Sequence, residues 1–373
     1  MLAIFIAVVM LIVYGSLYPW TFHAQPGLNP LELLLSVRGF LVDRRFIADI
    51  LINLALYVPV GMAGYLALLR KAPRAARTAL PIVFGCVLSA SIEMAQSYVP
   101  GRRTSLLDLL NNTIGSAVGV AAGVLFEALE VPRRASIRGR RVDRSALALL
   151  AVWAGSLTFP LFPVMWLFIY RQKIASLVRA PWHSMRDVES ALLAFASAVV
   201  SWYAGGLMLR AAGLGWRWLW MFVACVPAQF FIITRVPSVA GFAGAIAGTL
   251  AARRWTVKNV GWVSLLLIIL RGLWPFHAGA QHSFSLIPFA GFLEMPWQDG
   301  IRILLEKAWN YGSTIWMIEH GGTRMFVAVG AMCAATTAIE ITQMSMPAHT
   351  SEITDPLIVL LIGLAMKSLR RVE

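Results

Sequence analysis

Apolar runs close to the length of a bilayer crossing recur from one end of this chain to the other, and that recurrence limits its fold more than any other feature. They fall at about residues 1–20, 48–69, 79–98, 106–128, 145–169, 188–209, 217–234, 238–252, 258–275, 304–318, 324–345 and 353–368. Of 373 residues, 59% are hydrophobic and only 13% charged, too little polar surface to cover a soluble globule. The expected fold class is therefore all-α, a polytopic membrane helical bundle of about twelve transmembrane helices. The net charge of +14 does not point to nucleic acid, because the basic residues are dispersed between apolar spans rather than gathered in one stripe. The short connection "VPRRASIRGRRVDR" carries six arginines, and basic loops of this kind stay on the cytoplasmic side. With both termini inside, the larger share of the 32 Lys and Arg lies inside as well. The first twenty residues lack the basic start of a signal peptide and are read as the first span. Cys86, Cys225 and Cys333 each fall in an apolar run, where a thiol acts as a small hydrophobe.

The chain also repeats itself. Asp49 to Glu306 and Asn53 to Asn310 are each 257 apart; after a shorter loop, Glu93 to Glu340, Gln96 to Gln343, Pro100 to Pro347 and Asp108 to Asp355 are each 247 apart. A fainter middle copy keeps Asp187 in the place of Asp49 but has Ile232 in the place of Glu93. Three copies of a four-helix unit are expected, at 1–130, 145–254 and 258–371. Four helices return the chain to its starting side, so the copies run parallel.

Polar residues collect at three helix ends of the first copy: Asp49 and Asn53 four apart, Glu93 and Gln96 three apart, and Asp108 with Asn111 and Asn112. All three ends, and the loop "PGRRTS" with Arg102 and Arg103, lie at the extracytoplasmic depth. Charged groups there are costly unless they meet one another, water or a ligand. Two readings stand side by side. In one, Glu93, Asp108, Asp49 and Arg102 form a functional pocket with Asn53, Gln96, Arg103, Asn111 and Asn112 as binding groups. In the other, the acids pair with Arg102 and Arg103 and pin helix ends, while Thr104 or Ser105 caps the fourth helix. "GSAVGVAAG", with Gly115, Gly119 and Gly123 four apart, reads as a close helix-packing face. The six histidines show no metal-ligand spacing, and no cofactor motif is present.

"DILINLALYVPVG", then Glu-x-x-Gln, a basic loop and "SLLDLLNNTIGSAVG", strongly resemble the VanZ-like family of bacterial membrane proteins, over residues 1–128 and more weakly over 258–371. The third copy keeps Glu306, Asn310, Glu340, Gln343 and Asp355, has His349 in the place of Arg102, and has Ile358 and Val359 in the places of the asparagines. It is a secondary candidate site. The resemblance implies a multi-pass protein of the bacterial inner (plasma) membrane, an envelope function, and a link to glycopeptide (teicoplanin) resistance. It implies no particular reaction. The partners expected are the bilayer and a lipid-linked cell-wall precursor or phospholipid headgroup, held at the extracytoplasmic face. Glu93 as general base beside Arg102 is one chemistry such a site offers, with catalysis left open. A transporter or flippase, and a structural accessory protein, are the alternatives.

Overall fold

The computed structural model describes the chain except residues 24–28, 36–43, 70, 103, 135–142, 160–166, 179–184, 216–217, 233–237, 255–257, 280–282, 348 and 371–373. Side chains are also not described at 33, 35, 44–49, 51, 129–134, 176–178, 185–187 and 297. The described residues are helical throughout, with no strand and one isolated bridge between Ser285 and Glu352. The chain divides into two compact units, residues 1–139 and 140–373.

The first unit holds α1 (Leu2–Ser16), α2 (Pro30–Leu35), α3 (Arg44–Leu68), α4 (Arg74–Gln96) and α5 (Leu106–Arg134). Its central contact is a crossing of α3 and α5 in which backbone meets backbone. A Cβ on Gly115 would lie 2.2 Å from Leu54 O, one on Gly119 2.0 Å from Val58 O, and one on Gly61 1.9 Å from Ser116 O. Only glycine permits that approach, as the glycine spacing in the sequence predicts. α4 closes on the same helix where Gly85 faces Ser116 Oγ. Ile12, Tyr57, Val60 and Ile92 fill the space between α1, α3 and α4. At one end, Glu127 accepts hydrogen bonds from Tyr65 and, at 3.1 Å, from Arg77, whose guanidinium lies 5.4 Å from the Tyr65 ring centre.

The second unit holds α6 (Arg144–Thr158), α7 (Leu167–Val178), α8 (Met185–Ala211), α9 (Trp218–Ala228), α10 (Val239–Arg254), α11 (Val260–Leu273), α12 (Ala290–Glu294), α13 (Trp297–His320), α14 (Met325–Gln343) and α15 (Thr354–Arg370). Trp153 stacks on Trp309 and on Phe222, each at 4.8 Å, and meets Trp202 edge-on at the same distance. α8 and α10 cross closely at Gly244 and Gly248, which face Phe195 O and Val199 O.

Large apolar side chains point outward in helical stripes: Val83 and Val87 on α4, Leu110, Ile114, Val118 and Leu125 on α5, and Phe326 and Ile341 on α14. Water does not tolerate stripes of that kind, whereas lipid favours them. Four helices are long and apolar enough to cross a membrane, namely Arg74–Gln96, Leu106–Ala128, Val188–Ala211 and Met325–Gln343. The chain reads as a helical membrane protein. Several other expected spans are shorter than anticipated. α1 and α6 have 15 residues each, roughly 22 Å of helix against an apolar thickness of about 30 Å. The expected span 145–169 ends as a helix at Thr158: Phe159 is extended (ψ 143°), as the residue before a proline tends to be.

Asp143 caps α6 and ties it to α13. One carboxylate oxygen accepts the Ala146 N–H at 3.1 Å; the other accepts Trp316 Nε1–H at 2.8 Å and lies 3.3 Å from His320 Nε2. Burial alone pushes this carboxyl up, but the bonds from His320, Trp316 and Ala146 outweigh it and hold the pKa at about 2. A depressed carboxylate stabilises the fold above its unfolded pKa of about 3.9, and that contribution is lost as pH falls through the folded value. Asp143→Asn is accordingly expected to melt below the parent protein at neutral pH, with the gap closing as pH falls from about 4 towards 2. Melting curves of the detergent-purified pair across that range check this; a gap independent of pH contradicts it.

Candidate functional site

In the first unit the ends of α3, α4 and α5 bring together most of the polar residues singled out in the sequence. Ser105 opens α5: its Oγ accepts the Asp108 N–H at 3.4 Å, the capping arrangement expected of a hydroxyl at this place. Glu93, 4% exposed, accepts the Ser105 N–H at 2.9 Å, so the carboxylate of α4 holds the start of α5. Asn53 donates to Asp108 Oδ1 at 2.7 Å, joining α3 to α5. Gln96 donates to Ser16 O at 2.8 Å and fastens the end of α1. Asn112 donates to Ser89 Oγ at 2.9 Å. Glu93 lies within electrostatic reach of both Asp108 and Arg102.

Arg102 is exposed, and among the described residues it makes no ion pair with Glu93 or Asp108, so pinning of the acids by that arginine is not what the structure contains. Arg103 and the side chain of Asp49 lie outside the described residues; the backbone of Asp49 is in α3, one turn before Asn53.

Four polar atoms in this region are buried without a hydrogen-bond partner: Tyr57 Oη, Thr104 Oγ1, Asn111 Nδ2 and Asn112 Oδ1. Asn111 and Asn112 are each 6% exposed, and the Tyr57 hydroxyl sits beside Ser89 without hydrogen-bond geometry. Leaving such groups dry costs about 1–3 kcal/mol apiece, so atoms of this kind mark a place for water or ligand. Tyr57 and Ser89 did not stand out in the sequence, and Thr104 did so only as an alternative cap to Ser105. The available signal was helical spacing, since Ser89 is four before Glu93 and Tyr57 four after Asn53.

The second unit holds the secondary residues, and several bonds recur at the sequence offsets. Glu340 accepts the Glu352 N–H at 2.8 Å as Glu93 accepts Ser105; Gln343 donates to Gly272 O at 2.7 Å as Gln96 donates to Ser16 O. The His23 N–H bonds Tyr98 O, and the Gly279 N–H bonds Ser345 O, both at 2.8 Å. The centre differs. Asp355 receives Lys307 on one oxygen and the Tyr311 hydroxyl at 2.6 Å on the other, occupying the carboxylate from inside. Ile358 and Val359 are buried where the first unit has asparagines. His349 is 3.3 Å from Gln343 Nε2 and 3.1 Å from Trp274 O, which makes it part of the loop packing. Glu306 lies 3.4 Å from Arg302 one turn back on α13. Asn310 is turned to a cavity described below.

Residues 1–127 match the family model VanZ/LLP1, and they include every described polar residue of the first site. The first unit is similar to that family over residues 1–127, and is VanZ-like in that sense. No curated protein and no solved structure matches the chain. In this region Asn53 is bonded to Asp108, Glu93 to the Ser105 backbone and Asn112 to Ser89, and Arg102 is exposed.

Proposed function

We propose that the VanZ-like domain binds the polar head of a lipid-linked substrate at the extracytoplasmic face of the bacterial inner membrane, with both chain termini cytoplasmic. One observation carries the reading: two adjacent asparagines, each about nine-tenths buried, keep a donor and an acceptor unused one turn along α5 from Asp108. Carboxylates and free amide groups suit hydroxyl and amide groups of a sugar or peptide head better than a bare anion. The exposed Arg102 then suits the phosphate that joins such a head to its lipid. A lipid-linked cell-wall precursor has this combination, which is how glycopeptide resistance would connect to the site. Within this reading the chain is three parallel repeats, 1–130, 145–254 and 258–371, and about twelve spans. The recurrence of the Glu93 and Gln96 bonds at Glu340 and Gln343 supports the outer pair. The third repeat is a scaffold, because Lys307 and Tyr311 fill the place a ligand would take. A transporter is disfavoured by the position of the cluster at helix ends rather than along a path through the bilayer.

The test is native mass spectrometry of the full chain in neutral detergent, with a polyprenyl-diphosphate-linked aminosugar and phosphatidylcholine offered as probes. The protein is expected to retain the aminosugar lipid at least about tenfold better than phosphatidylcholine, and Asn111→Leu to remove that preference. No preference in the parent, or the same preference in Asn111→Leu, overturns the reading.

A further inference from the structure

A second polar cavity, of about 40 Å³, opens in the second unit between α8, α11 and α13. Its polar lining is Ser197 and Ser201 from α8, Ser264 and Arg271 from α11, and Asn310 and Ser313 from α13. Unlike the VanZ-like site, it contains no carboxylate, so its charge is that of Arg271 alone. Ser201 Oγ already accepts Trp309 Nε1–H at 2.6 Å, which leaves its own O–H to donate. Ser264 shares a bond of 2.6 Å with Thr314, which fixes the wall of the cavity. Among the described residues Arg271 has no ion-pair partner. A cation at the last turn of α11 gains from the helix dipole, but that does not account for hydroxyl and amide donors gathered around the same space. The remaining wall is hydrocarbon, from Val200, Leu267 and Ile268, and the neighbouring Val263 and Leu266 face outward.

From this arrangement we infer that the cavity is a binding site for the phosphate of an anionic lipid. The space takes roughly three water-sized atoms, which suits the oxygens of a phosphoryl group. Arg271 supplies the forked charge-assisted contact, and Asn310, Ser197 and Ser201 supply the remaining donors, because the hydroxyl protons of Ser264 and Ser313 are engaged with Thr314 and Asn310 O. The apolar wall receives the start of the acyl chain. Arg271 is exposed in the last turn of α11, and an anionic headgroup supplies the counter-charge it lacks among the described residues. Asn310 thereby has a different task from its counterpart Asn53, which is engaged by Asp108. The site is independent of the VanZ-like domain.

The experiment offers phosphatidylglycerol, phosphatidylcholine and inorganic phosphate separately to the detergent-purified full chain, read by native mass spectrometry. Phosphatidylglycerol is expected to be held at least about tenfold better than phosphatidylcholine, whose phosphate is offset by its own quaternary ammonium and so gains less from Arg271. Arg271→Gln should erase the preference and Arg271→Lys restore part of it. Asn310→Leu, which fills the cavity with hydrocarbon, should do the same as Arg271→Gln and serves if that variant does not fold. Asn111→Leu should leave the phosphatidylglycerol signal unchanged, which separates this site from the first. Retention of inorganic phosphate without a preference for phosphatidylglycerol overturns the lipid assignment, and a preference that survives both Arg271→Gln and Asn310→Leu overturns the site.

Discussion

Gly119→Leu is expected to cost about 3 kcal/mol or more of stability and to release α5 from α3. Even the first carbon of a side chain there would sit 2.0 Å from Val58 O and 2.8 Å from Met62 N, and backbone has no rotamer to move aside. A Cβ on Gly61 would likewise lie 1.9 Å from Ser116 O, so the approach is close from both helices. Membrane helices associate through packing of this kind because lipid supplies no hydrophobic drive between them. Gly330→Ala is the matched control. Nothing lies within 4 Å of a Cβ at that position of α14, and alanine there should gain up to about 1 kcal/mol in helix propensity. Melting of the two detergent-purified variants beside the parent checks the pair; equal melting temperatures would show that the crossing is not what holds the first unit together.

That crossing was legible because a four-residue glycine period on an apolar helix has one physical use. The polar residues of the first site were legible for a similar reason: Glu93, Gln96, Asn53 and Asp108 are conspicuous in hydrocarbon, and helical spacing alone turns them to shared faces. What they bond was less so. Glu93 takes a backbone N–H rather than an arginine, and a backbone donor leaves no mark in a sequence. Lys307 and Tyr311 escaped notice although they are four apart on α13, because Asp355 looked like a copy of Asp108 and its new partners came from positions that are apolar in the first repeat, Ile50 and Leu54. The overrun of the span 145–169 had its warning in Pro160, which an average of hydropathy does not weigh. The short helices α2, α7 and α12 lie in connections whose mixed composition gives no helical period long enough to read.

Under the function proposed above, Glu93→Gln is expected to abolish binding of the lipid head while leaving the VanZ-like domain folded. The glutamine keeps the size of the side chain and still presents an oxygen to the Ser105 N–H, so the bond that positions the start of α5 survives in neutral form. The difference between a charged and a neutral acceptor is about 1 kcal/mol, small against the stability of a packed helical unit. Removed is the negative charge beside Asp108 and the unused amides, along with any proton the carboxylate would take from a bound head. Glu340→Gln makes the same chemical change on the same backbone bond, with Asp355 already occupied by Lys307 and Tyr311, and should affect function less. Changes at Ile232, which stands where the fainter copy expected from the sequence would have its acid, should reach no further than packing. Glycopeptide sensitivity of cells carrying each variant, set beside the melting temperature of each purified protein, reads function and fold separately. If Glu93→Gln lowers both together, the carboxylate serves as a pin between α4 and α5, and the lipid head must be sought around the asparagines without it.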